Sequence, residues 1–126
     1  MADGQAFDYL AFDASEDADG HGSFDAMASV TAAQWPALEA EVLQVLAWAE
    51  TTFPHARGPL DDGGAWDYEL QAVEEVATTL DVEVDVGGAG LQVRRGATGA
   101  PRTTLSLTLS GDAQFRAAFS AAFDLG

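Results

Sequence analysis

The sequence contains no cysteine, no lysine, no asparagine and no isoleucine, and only five arginines and two histidines stand among its 126 residues. Without cysteine there is no disulfide framework, no Cys-ligated zinc, no iron–sulfur cluster and no thiol nucleophile. So few bases against 21 acids leave a formal charge of −16. That is the wrong sign for a surface that must neutralise phosphates or settle on anionic lipid, so nucleic acid and membrane are not expected partners. No apolar run reaches the ~20 residues of a membrane-spanning helix, and the N-terminus has no basic-then-apolar signal peptide. The expected compartment is the cytoplasm.

Two explanations compete for three of the missing residue types. Lysine, asparagine and isoleucine use A/T-rich codons, so a G/C-rich genome would deplete all three. Such a bias puts arginine in place of lysine, however, and explains which bases are missing but not why bases are so few. Selection for an acidic surface, as in salt-adapted proteins, is the competing explanation. The charge is also uneven. Residues 1–93 hold 19 acids and a single base, Arg57, whereas residues 94–126 hold Arg94, Arg95, Arg102 and Arg116 against Asp112 and Asp124. The acids alternate with apolar residues instead of running in blocks, as on the wet faces of strands and helices.

What is present suits one domain over residues 1–126, with residues 1–5 a loose N-terminus. Phe7–Asp13 reads as an aromatic strand, and Ser23–Val30 as a second, with Phe24, Ala26, Ala28 and Val30 on one face. The Ser15–Gly22 stretch between them is turn chemistry. Thr31 and Gln34 fit a capping box, although Pro36 moves the first turn towards itself. Leu38, Val42, Val45, Leu46, Ala49 and Phe53 then recur at a helical period until Pro54.

After a breaker-rich connection, Trp66, Tyr68 and Leu70 alternate with polar residues. Leu80, Val82, Val84 and Val86 do the same in the cleanest strand pattern of the chain. Leu91–Arg95 pairs back after a glycine turn, and Thr103–Leu109 alternates once more. Ser110 is positioned to cap a final helix whose Phe115, Phe119 and Phe123 fall on one stripe. The order β-β-α-β-β-(β)-β-α, rich in hairpins and lacking βαβ units, gives an α+β class. A mostly antiparallel sheet of four to six strands should carry two helices on one face.

Chemistry-bearing clusters are sparse. Asp13, Asp17, Asp19 and His21 crowd one loop and are weak metal candidates, but the spacing fails the EF-hand pattern: Ser15 and Ala26 would fall at its first and last ligand positions. No H-E-x-x-H and no G-x-S-x-G occurs. The Gly87–Gly90 run precedes a strand, so it makes a turn and not a phosphate cradle. No catalytic residue and no cofactor is assigned, and the protein is not expected to be an enzyme.

The charge favours a non-catalytic module for a basic protein, and the candidate partner surface is Glu16, Asp17, Asp19, Asp61 and Asp62 with Trp35 and Trp48, two tryptophans off the core stripe. Bacterial immunity proteins that neutralise basic nuclease toxins share this size and charge; the likeness goes no further. Two alternatives stand. One is a homo-oligomeric domain, monomer and homodimer both being compatible with the pattern. The other is a small carboxylate- or metal-dependent enzyme built from the Asp13–His21 cluster, or from Asp61, Asp62 and His55.

Overall fold

The computed structural model describes residues 7–88 and 90–124; the N-terminal stretch expected to be loose lies outside them. Its elements are β1 (Asp13–Glu16), β2 (Gly22–Thr31), α1 (Trp35–Thr52), β3 (Trp66–Glu75), β4 (Thr78–Asp85), β5 (Gly90–Thr98), β6 (Arg102–Gly111) and α2 (Ala113–Ala122), with a 3₁₀ turn at Leu60–Asp62. The class is α+β: an antiparallel sheet in the order β1-β2-β6-β3, a separate β4-β5 hairpin, and two helices packed on the sheet.

β6 is the spine. It pairs along its whole length with β2 on one side and β3 on the other, from Arg102 opposite Thr31 and Glu75 to Gly111 opposite Gly22 and Trp66. Alternation then sorts the faces. Phe24, Ala26, Ala28 and Val30 join Leu105, Leu107 and Leu109 beneath the helices, where all are buried. α1 closes this layer with Leu38, Val42, Val45 and Ala49, and α2 with Phe115 and Phe119, followed by Phe123 just past its end.

The start of α1 follows Pro36 and not a Thr31 cap, and the start of α2 differs from the expectation. Thr31 does not cap α1; the Gln34 side chain reaches back to accept from the Thr31 amide (3.0 Å), and the helix opens at Trp35 with Pro36 in its first turn. Ser110 does not cap α2, because it is still paired within β6. Asp112 takes the role and accepts from the Phe115 amide at 2.9 Å.

The expected strand over Phe7–Asp13 is also replaced. Only Asp13–Glu16 pairs with β2. Upstream, the Asp8, Tyr9 and Leu10 amides donate to the Glu41 carboxylate of α1 at 2.9, 3.1 and 3.0 Å. Amides satisfied by a side chain are not free for a strand ladder. This clamp lays Leu10 into the core, Phe12 edge-on to Phe119 (5.2 Å) and Phe7 against Phe123 (5.6 Å). Glu41→Ala should cost about 1–3 kcal/mol, the scale of charge-assisted bonds in part replaced by water. Urea melts would measure the loss, with Glu41→Gln falling between wild type and alanine.

β3–β4 and β5–β6 are the two arms of one long ribbon whose successive pairings are β3 with β6 and β4 with β5, interrupted at Val76–Ala77, where the Gly99 amide bonds the Ala77 carbonyl at 2.8 Å. Beyond this break the alternation reverses its usual meaning. Val82 faces Val93 and Val84 faces Leu91, yet all four side chains are exposed, Val84 by 66%. The pattern makes a strand, but no layer of the described residues covers its apolar face.

Candidate functional site

The β1–β2 turn is held by Asp17. Its Oδ1 accepts from the Asp19 and His21 amides, both at 2.9 Å, and its Oδ2 lies 3.2 Å from His21 Nδ1. Gly20, at φ +84°, supplies the left-handed residue that closes the turn. Slight desolvation is the largest single influence on Asp17 and pushes its pKa up. The two amides and the imidazole together outweigh it and leave the carboxyl below its usual value. The ionised carboxylate therefore supports the turn above the ordinary aspartate range, and that support fades as pH falls through the lowered pKa.

Asp17, Asp19 and His21 offer ligand atoms that all lie within 4.8 Å of one another, so of the expected metal candidates these three come together. Asp13 does not join them; it sits on β1 opposite Asp25. The internal bonds of Asp17 account for the cluster as a turn. His55 is exposed at φ 60°, and among the described residues no hydrogen bond or ion pair joins it to Asp61 or Asp62.

The expected partner residues separate into groups. Glu16 and Asp17 line a cavity of about 240 Å³ with Leu60, the neighbour of exposed Asp61 and Asp62, so the two acidic loops do approach each other. Arg116 of α2 braces this corner: its Nε donates to the Gly20 carbonyl (2.9 Å) and its guanidinium lies 3.5 Å from Glu16. Trp48 is half-buried and packs against the core, 5.2–5.9 Å from the rings of Phe115, Phe119 and Phe123. Trp35 is the tryptophan that faces a groove.

That groove runs between α1 and β3 and has a volume of about 490 Å³, with Trp35, Glu39, Leu43 and Leu46 on one wall and Tyr68 and Leu70 on the other. It exists because α1 packs closest to β2 and leaves space towards β6 and the sheet's last strand, with Leu105 in the groove lining. Leu43 (59% exposed) and Leu70 (43%) are left facing water. Beyond Trp66, β3 is also open along its outer edge. The Trp66 carbonyl accepts from the Gly58 amide (2.9 Å) and the Tyr68 amide donates to Asp67 (2.9 Å), so even-numbered residues turn their backbone groups away from β6. Those of Leu70, Ala72 and Glu74 follow the same direction and have no partner among the described residues.

The opposite face of the sheet carries no helix. There Asp13, Asp25, Thr108 and Glu69 stand in one cross-strand row, with the Thr108 hydroxyl donating to Asp25 at 2.6 Å. Most of the arginines are committed elsewhere, the exception being Arg95, which stands opposite Leu80 in the β4–β5 hairpin with no ion-pair partner among the described residues. Arg57 pairs with Asp67 (3.6 Å), Arg94 with Glu83 (3.6 Å), and Arg102 donates to the Ser29 carbonyl (3.0 Å). Among the described residues, Glu39, Glu69, Glu74 and Glu75 around the open edge have no ion-pair partner. Sequence patterning marks them as ordinary wet-side acids. Their shared position depends on β3 being the sheet's last strand, which no local signal encodes.

No helix of the described residues is long and apolar enough to cross a membrane. The chain matches no protein-family model, no curated protein and no solved structure.

Proposed function

We propose that this protein is a non-catalytic binding module for a basic protein partner. One observation carries the reading: 21 acids face five arginines, four of which (Arg57, Arg94, Arg102 and Arg116) are held by partners within the chain. The acids left without an ion pair among the described residues include Asp13, Asp25 and Glu69 on the helix-free sheet face and Glu39, Glu74 and Glu75 around the β3 edge. A field of one sign raises the encounter rate with an oppositely charged protein and turns away others of its own sign. An immunity protein presents the same chemistry to a basic toxin, and that role is the specific form of the proposal, resting on charge and size.

The test is capture from a lysate of the source organism at low ionic strength, identification of the captured protein, and reconstitution with both components pure. The expected partner has a strongly basic isoelectric point and binds at least tenfold more weakly when salt rises from about 50 to 300 mM, as the Debye length shortens from roughly 14 to 6 Å. Recovery only of neutral or acidic proteins, or an affinity indifferent to salt, would overturn the reading.

A further inference from the structure

We infer that the open edge of β3 and the groove beside it receive an extended segment of that basic partner as an added strand, with apolar side chains in the groove and basic ones among the flanking carboxylates. The inference rests on the basic-partner reading and says where, and by which bonds, binding occurs. Three observations converge. The backbone groups of Leu70, Ala72 and Glu74 point outward along an unpaired edge, which is the template for strand addition. On the helix side of the same strand, the groove offers apolar surface from Leu43, Leu46, Tyr68 and Leu70. Carboxylates flank the edge on both sides: Glu39 and Glu74 towards the helices, Glu69 and Glu75 towards the open sheet face.

Charge selects the occupant. A second copy of this chain, pairing β3 to β3 in antiparallel fashion, would set the Asp67–Glu69 end of one strand against Glu74–Glu75 of the other. Like charges directly across a ladder are destabilising, and acidic edges oppose self-pairing. The same carboxylates attract arginine or lysine. A strand alternating apolar and basic residues meets both requirements, because its two faces fall on the groove and on the acidic sheet face respectively.

The probe is an eight-residue peptide alternating arginine and valine, titrated into the full-length protein at about 50 mM salt and followed by amide chemical shifts. Perturbations are expected on residues 68–75 and along Trp35–Leu46. Methylation of alternate backbone nitrogens in the peptide should weaken binding at least tenfold, because it removes donors to the β3 edge without changing charge. Leu70→Lys should weaken it by a similar factor. Leu70 is already substantially exposed, so this variant keeps the fold, as a thermal melt would verify, and the methylated peptide tests the same point on unaltered protein.

Several results would overturn the inference. Equal binding by the methylated peptide, or shifts confined to Asp13, Asp25 and Thr108, would place basic ligands on the acidic face and leave the broader reading standing. Absence of binding up to millimolar peptide, or sedimentation as a dimer with β3 amides protected, would reject strand addition. The lysate capture and its salt dependence would then judge the basic-partner reading separately.

Discussion

Phe119→Ala should destabilise the protein by about 3–5 kcal/mol, the range for emptying a large aromatic site in a core that collapses only partly. Phe119 is the hub of the aromatic cluster. Phe24 lies stacked 4.2 Å from it, Phe123 at 4.6 Å, Phe12 edge-on at 5.2 Å, Trp48 at 5.6 Å and Phe115 at 5.8 Å. These rings come from the N-terminal segment, β2, α1 and α2, so one deletion loosens four parts of the chain at once. A domain of this size has about 5–15 kcal/mol of net stability, so at least about a fifth of it would go. The melting temperature should fall by roughly 10–20 °C. Phe119→Leu, which keeps most of the volume, should cost less than half as much. Val84→Ala on the exposed hairpin should stay within about 0.5 kcal/mol. Calorimetry on the three variants would check the ranking. If Phe119→Ala melted with wild type, the aromatic cluster would not be the main support of the core. Because Trp48 ties α1 to Phe119, the same substitution should also loosen the α1–β3 groove and weaken the arginine–valine peptide.

Much of this core is readable in the sequence, because burial imposes periodicity. Leu38, Val42, Val45 and Ala49 can only share a face on a helix, and Phe24 to Val30 only on a strand. Where the expectation departs, a competing hydrogen bond or a tertiary fact decides. Phe7–Asp13 has strand composition, but Glu41, which looks like any wet-side helical acid, takes its amides. Ser110 is a good cap by type, yet β6 keeps it because partners on both sides extend the ladder to Gly111. Leu80–Val86 has the clearest strand pattern and is uncovered, since alternation says that a face is apolar and not what lies over it.

The candidate site was less legible still. Trp35 is readable as an off-stripe tryptophan; Trp48 carries the same signal and packs half-buried against the aromatic cluster. Glu39, Glu69, Glu74 and Glu75 are brought together by the passage of β6 between β2 and β3. That is a long-range consequence of chain order, and no spacing in the sequence reports it.

Gly111→Val should be comparably severe, costing about 3 kcal/mol or more, for the opposite reason: too much volume instead of too little. Gly111 ends β6 opposite both Gly22 and Trp66 and is itself buried. A side chain there would start inside the space of the Phe115 ring. Phe115 cannot easily yield, since it lies parallel to Trp66 at 5.8 Å, against Phe53 at 5.5 Å and beside Trp48 at 5.9 Å, with none of its surface exposed. Overpacking usually costs about 1–3 kcal/mol, and more where no neighbour can move. At Gly22 the analogous contact is with the aliphatic stem of Arg116, 2.6 Å from the added carbon, and this long, partly exposed side chain can swing aside. Gly22→Ala should therefore be milder than Gly111→Ala. The cause can be isolated by pairing Gly111→Ala with Phe115→Leu, which opens room where the ring stood. Urea unfolding of the two single variants and the double variant should show a favourable coupling of at least 1 kcal/mol, as for two residues competing for one space. Simple additivity would mean that the glycine is required by its backbone and not by the ring. With coupling, the β6–α2 corner is specified by a single steric fit: an absent side chain at Gly111 lets Phe115 seal the end of the sheet against Trp66, the residue from which β3 runs out to its open edge.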